Sequence, residues 1–217
     1  MMTTETFRDR FDAGHQLADE LLRYGGRADV IVLALPRGGV PVAAEVASRL
    51  ALALDLFVVR KLGVPGHEEL AMGAIASGGV RVLNPDVLHA LNASAEMVEK
   101  VTAVETEELE RRERAYRGDR PPVKVQGRRV ILVDDGLATG ASMRAAVAAL
   151  RQKGAAKIIV AVPVGAASTC RELAGEVDEL ICLISSDAFI GVGQYYGDFS
   201  QTSDDEVRRL LGEQGPY

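Results

Sequence analysis

The stretch that most constrains this chain is residues 130–143, VILVDDGLATGASM. Four consecutive apolar residues, Val130, Ile131, Leu132 and Val133, predict a strand buried on both faces, as in a parallel sheet. Two acids follow, Asp134 and Asp135, then a small-residue turn at 136–140 and an alanine-rich helix predicted over 141–153. A strand that ends in acids, turns tightly and opens a helix is how an α/β protein builds an anion site at the carboxyl edge of its sheet. Small residues admit a phosphate close to backbone amides, and the helix start adds partial positive charge. Thr139 and Ser142 bring hydroxyl donors. Asp134 and Asp135 would repel that phosphate unless the ligand also presents donors, such as paired sugar hydroxyls. The chemistry called for is a sugar phosphate, with an ordinary strand–turn–helix and solvated acids as the alternative.

A second turn of this kind occurs earlier. Residues 30–35 read as a short apolar strand running into Pro36-Arg37-Gly38-Gly39, then a helix over 42–50. Arg-Gly-Gly turns are common, so this loop gains weight only beside the first. Gly38 and Gly39 are expected there because glycine adopts strained dihedrals cheaply. Residues 56–59 read as the next core strand, with Arg60 and Lys61 at its carboxyl end. Two cations near two anion loops suit a diphosphate. Residues 62–69 are rich in breakers and polar groups, as a mobile closing loop would be, and include His67, Glu68 and Glu69. A solvated turn reads equally well.

The rest of the chain supplies the frame. Residues 6–24 predict an amphipathic helix with Phe7, Phe11, Leu17, Leu21 and Leu22 on one stripe, read as structural. Residues 72–76 and 80–83 predict a hairpin. A short helix over 85–91 and a long one over 95–117 make a helical insertion at 85–120, whose charged second half reads as a solvent-facing rim. Residues 123–125 are expected to pair as a strand. Strands at 157–162 and 179–184 flank a helix over 167–173. Ser203 and Glu206 form a capping box before a last helix. Aromatic and small residues at 185–201 suit a hood over a flat ring.

At 217 residues and 47% apolar composition the chain suits one domain with a sizeable core. A net charge of −6 does not suggest a nucleic-acid partner. Cys170 and Cys182 read as reduced buried thiols, and the three histidines form no ligand cluster. No apolar run reaches membrane-spanning length and no secretory leader is visible, so a cytoplasmic location away from membranes is expected.

Residues 130–143 resemble the binding motif for 5-phosphoribosyl-1-diphosphate in type I phosphoribosyltransferases: four apolar residues, two acids, then a small-residue turn with Thr-Gly. From about residue 30 to residue 196 the chain is similar to that family. It most resembles a bacterial group known only as predicted phosphoribosyltransferases, through the strings Arg60-Lys61-Leu62-Gly63 and Asp198-Phe199-Ser200-Gln201. The resemblance implies a mainly parallel, twisted α/β sheet flanked by helices, with a hood and a helical insertion.

It also implies a glycosyltransferase of nucleotide salvage, moving 5-phosphoribosyl from the diphosphate donor to a nitrogenous base with Mg²⁺ and release of pyrophosphate. By that resemblance Asp134 and Asp135 hold the ribose hydroxyls and, largely through water and substrate, the metal. Leu137, Ala138, Thr139, Gly140, Ala141 and Ser142 hold the 5-phosphate. Arg37, Gly38, Gly39, Arg60 and Lys61 serve the diphosphate, and the Arg37 loop carries an unusual peptide conformation. Phe189 stacks on the base and Ile190 offers backbone groups to its edge. The 6-oxopurine enzymes carry an acid where this chain has Ala138, so proton handling falls to Glu69 or Glu68 here, or to a base that needs none. A regulatory donor sensor and a hydrolase or phosphorylase on the same scaffold stay open, as does a homodimer.

Overall fold

The computed structural model of the chain describes residues 6–118 and 120–213, apart from the side chains of Glu68 and Glu69. Helix α1 (Arg10–Glu20) begins at Asp9, whose carboxylate accepts the Asp12 amide at 2.8 Å. This cap excludes Phe7 from the predicted helix, and Phe7 instead forms a β-bridge with Tyr196. The chain continues through β1 (Val30–Ala34), α2 (Gly39–Leu50), β2 (Ala53–Leu56), β3 (Val59–Val64), β4 (His67–Ala76) and β5 (Val80–Leu83). Then come α3 (Pro85–Ala90), α4 (Ala95–Arg117), β6 (Arg129–Val133), α5 (Ala141–Gln152) and β7 (Lys157–Ala166). Helix α6 (Ala167–Ala174), β8 (Glu179–Ser186), a 3₁₀ turn (Val192–Tyr195) and α7 (Asp204–Glu213) complete it.

Five strands form a parallel sheet in the order β2-β1-β6-β7-β8. Alternate residues of each strand enter different cores. Val30, Val32, Ala34, Ile131 and Val133 pack with residues of α1, α2 and α7. Ile31, Leu33, Val130, Leu132, Ile158 and Val160 pack with residues of α5 and α6 on the other face. Both faces are covered, which is why the strands read as unbroken apolar runs. The fold is a mainly parallel α/β sheet flanked by helices.

The second sheet, β3-β4-β5, is antiparallel and changes three readings. The core strand expected at 56–59 ends at Leu56. Phe57 still donates to Ala34 O at 2.9 Å, but Val58 already exchanges bonds with Ser77, so the chain has changed sheets. Arg60 and Lys61 therefore lie within β3, not at the end of a core strand. The breaker-rich stretch is also no open loop: β3 and β4 pair across it, turning at Pro65-Gly66, where Gly66 has φ +78°. Helices α3 and α4 pack on this sheet through Val87, Leu88, Val98, Val101 and Leu109.

Residues 123–125 make no strand. The Val123 amide donates to the buried Asp55 carboxylate at 3.0 Å, and Val125 is buried in the core. Strand β7 runs straight through Pro163, where it was expected to stop. Its pairing with β6 has ended at Ala161, so a missing N–H is tolerated on that side. Ser203 Oγ accepts the Glu206 amide at 3.1 Å, as its capping box predicts. Among the described residues no helix is long and apolar enough to cross a membrane.

Candidate functional site

From β1 the chain steps outward to β2, and from β6 it steps the other way to β7. The strand order reverses between β1 and β6, and such a switch point opens a crevice at the carboxyl ends of the strands. Ala34 and Val133 are register partners there, and the Leu35 amide donates to Val133 O at 2.9 Å. The turns at 35–39 and 134–140, distant in sequence, thus leave the sheet side by side.

The glycines of the first turn act through space, not through dihedral freedom. Gly38 has an ordinary helical φ of −57° and ψ of −36°. A Cβ on Gly38 would lie 2.0 Å from Asp135 Oδ2, and one on Gly39 would lie 2.8 Å from Val133 O. Bare backbone is needed there because the acid pair of the second turn lies against it. The Pro36–Arg37 peptide within the first turn is cis, an unusual conformation of the kind the resemblance implies.

The two acids have different surroundings. Asp134 Oδ1 accepts the Asp135 amide at 2.8 Å. Burial, and then the charge of Asp135, push the Asp134 carboxyl well above the usual carboxylate range. Burial also raises Asp135, but Arg10 opposes it, with Arg10 Nε 2.8 Å from Asp135 Oδ2. Arg10 Nη1 donates to Ser200 O at 2.7 Å, and the guanidinium lies 3.9 Å from the Phe199 ring centroid. Tyr196 donates its hydroxyl to Asp135 O at 2.6 Å. Burial, then the Asp135 charge, hold that phenol above its ordinary range.

In the second turn Leu137 is spoken for. Its side chain is in the core, its amide donates to Val164 O at 2.8 Å and its carbonyl accepts the Ala166 amide at 2.9 Å. Thr169 Oγ1 donates to Ala138 O at 2.7 Å, which fixes the turn from below. Gly140 takes φ +73° as the cap of α5, with Thr169 and Arg144 closing in on its Cα. Ala138, Thr139, Ala141 and Ser142 are exposed. The first-turn amides of Ala141, Ser142 and Met143 precede the helix's first backbone bond, Arg144 N–H to Gly140 O at 2.8 Å. Ala141 N–H makes a long bond of 3.5 Å to Thr139 Oγ1, and the helix start is the kind of end that receives an anion.

The remaining candidates are placed variously. Lys61 is exposed on β3 and lines a cavity of about 320 Å³ with Ala141, Arg144 and Asn84. That puts it on the α5 side of the crevice. Arg60 is bound instead to Glu105 of α4, with Nε 2.7 Å from Oε2. The Arg37 side chain reaches Asp204 at the start of α7, at 3.5 Å. Phe189 stacks on Tyr195, with ring centroids 5.8 Å apart, and is partly buried against that cluster. Ile190 is 94% exposed. The side chains of Glu69 and Glu68 lie outside the described residues.

Arg10 had no part in the site as read from the sequence, and Tyr196, Phe199 and Ser200 were read only as part of the hood, not as partners of the acid pair. One signal for Arg10 was available. It sits three, four and seven residues before Ala13, Gly14 and Leu17, so it is a charge on the buried face of an amphipathic helix.

Comparison with known proteins gives the family. The profile of the phosphoribosyl transferase domain family matches residues 4–199. A Mycobacterium tuberculosis protein (strain CDC 1551 / Oshkosh), provisionally named a phosphoribosyl transferase, is 49% identical over 205 residues, which is 94% of this chain and 46% of that protein. The match in strain H37Rv has the same identity and coverage, so the chain spans about half the length of these relatives. A crystal structure of a Thermus thermophilus protein is 43% identical with a TM-score of 0.87, covering 97% of this chain and 100% of that one. A Staphylococcus aureus hypoxanthine phosphoribosyltransferase shares the fold, at a TM-score of 0.50 and 10% identity over 86% of this chain and 78% of that one. The chain belongs to the phosphoribosyl transferase domain family.

Proposed function

We propose that this domain moves a 5-phosphoribosyl group from 5-phosphoribosyl-1-diphosphate to a ring nitrogen of a base, in the cytoplasm, releasing pyrophosphate. One observation carries the reading: two tight anion-type turns emerge together at the switch point with an acid pair wedged between them. A ligand spanning them has anionic groups at both ends and hydroxyls in the middle. The donor has that shape.

In this reading the exposed second turn and the start of α5 take the 5-phosphate. Asp134 and Asp135 accept the ribose hydroxyls and lie near the positive charge that develops on the ribose as the C1–oxygen bond breaks. The diphosphate leaves with the bonding pair past the amides of the first turn, with Arg37 of that turn and Lys61 of β3 as the proposed cations. The base nitrogen forms the new bond to C1, and Glu69, carried on β4, is the proposed acceptor of any proton it loses. Ala138 cannot serve there.

Mg²⁺ fits this donor set in a limited way. Among the described residues no three acid, His or Cys side chains converge on one point. Asp135 Oδ2 and Asp134 Oδ1 are already engaged. One oxygen of each carboxylate remains, which suits a hard cation held mainly by water and diphosphate oxygens. When bound, it supplies charge neutralisation for the departing diphosphate.

The test is to incubate the domain with donor, Mg²⁺ and a panel of bases and to follow pyrophosphate. Base-dependent release is expected, and the Asp134→Asn/Asp135→Asn double variant is expected to lose about a hundredfold or more. Full activity in that variant overturns the assignment. Tight donor binding without base-dependent release in the unaltered domain would make it a donor sensor instead.

A further inference from the structure

We propose that Arg10, on the first turn of α1, is a positioning residue of the donor site: it aims Asp135 across the crevice and makes segment 196–200 part of the ribose-binding wall. This rests on the phosphoribosyl reading above.

Arg10 is only 9% exposed, and its Nε, its Nη1 and its planar face are all engaged. Nε binds Asp135 Oδ2 at 2.8 Å, Nη1 binds Ser200 O at 2.7 Å, and the plane covers Phe199 at 3.9 Å and Tyr196 at 5.9 Å. Tyr196 in turn holds Asp135 O at 2.6 Å. Asp135 is therefore gripped at its side chain by α1 and at its backbone by the segment after the 3₁₀ turn. The grip has a direction. With Oδ2 drawn to Arg10, the carboxyl lies over Gly38, where a Cβ would stand 2.0 Å from Oδ2, 2.6 Å from Cγ and 3.1 Å from Oδ1. Oδ2 is occupied and Oδ1 is the oxygen left for a ligand. Arg10 thus fixes the carboxylate plane against the first turn, with the oxygen nearest Gly38 held by the guanidinium and the other left for a ligand.

A merely structural residue would not call for arginine here. Burying a guanidinium is costly, and an apolar pair of similar volume commonly replaces a whole buried ion pair without loss of stability. The slot, floored by Phe199 and Tyr196, would accept methionine. What methionine cannot do is hold Asp135 Oδ2.

The experiment compares unaltered protein with Arg10→Met, Arg10→Lys and Arg10→Ala, measuring 5-phosphoribosyl-1-diphosphate affinity by calorimetry and folding by thermal melting. Inorganic phosphate serves as the probe of the 138–142 turn alone. Arg10→Met leaves Asp135 unpaired and is expected to melt below the unaltered protein while staying folded at the assay temperature, to bind phosphate equally and to lose about tenfold or more in donor affinity. Arg10→Lys keeps the charge but not the fork, and should fall between. In Arg10→Ala, millimolar guanidinium chloride should restore donor affinity, while sodium chloride of equal ionic strength should not.

Unaltered donor affinity in Arg10→Met overturns the proposal. Should Arg10→Met fail to fold, the other variants decide: Arg10→Lys binding like the unaltered protein, with no guanidinium rescue of Arg10→Ala, overturns it equally. Absence of donor binding by the unaltered protein overturns the phosphoribosyl reading and this proposal together, so the two failures are told apart.

Discussion

Asp134 and Asp135 are neighbours in the chain and strangers in environment. Arg10 compensates Asp135, while Asp134 is partly buried beside a like charge. A carboxyl whose pKa is higher folded than unfolded costs nothing below the unfolded value, near 3.8. Its cost grows as pH rises above that value and is complete once the folded carboxyl has ionised. Asp134→Asn, which removes the charge, should therefore raise the melting temperature of the ligand-free domain at pH 7. The gain should shrink as pH falls towards 4, even as donor binding is lost. A variant that melts lower than the parent at pH 7 would refute this burden on Asp134. The adjacent acids and the small residues around them are legible in the sequence. The reason for Gly38 is not, because its dihedrals are ordinary and the atom that excludes a side chain belongs to Asp135. Nor is the Arg10 partnership, which spans 125 positions.

At the scale of elements, α4 ends on a buried anchor. Arg117 binds Asp55 Oδ1 at 2.9 Å and Leu56 O at 3.0 Å, while Asp55 Oδ2 accepts the Val123 amide. One carboxylate thus joins β2, the long helix and the return to β6. Removing one partner of a buried pair strands the other, so Asp55→Ala should cost about 3–5 kcal/mol in urea unfolding. A loss under about 1 kcal/mol would show the anchor to be dispensable. Helix periodicity and caps made α4, α5 and α7 readable with nearly correct bounds. The passage from β2 to β3 was not readable, since the apolar run from Leu56 to Val59 carries no breaker while the chain changes sheets beneath it. That misplaced Arg60, which belongs to Glu105.

At the scale of the molecule, the strand order couples the two turns. If one donor spans both, 5-phosphoribosyl-1-diphosphate should slow amide hydrogen exchange at 36–40 and at 138–143 together, with matching concentration dependence. Protection confined to one turn would mean the ligand does not bridge the crevice. Affinity and exchange data on the full-length relatives' counterpart regions would read the same coupling, since this chain spans about half of them.

By itself the sequence determined most of the buried parallel strands, the starts of α3 to α7 and the acid-bearing turn, because these follow from local periodicity, capping and steric freedom within a few residues. The tertiary structure alone decided which oxygen of Asp135 is free, why Gly38 has no side chain, and that a charge on the first helix completes the site. Those are contacts between segments far apart in the chain. Only the β1–β6 pairing and the closure of residues 195–200 onto α1 bring them within bonding distance.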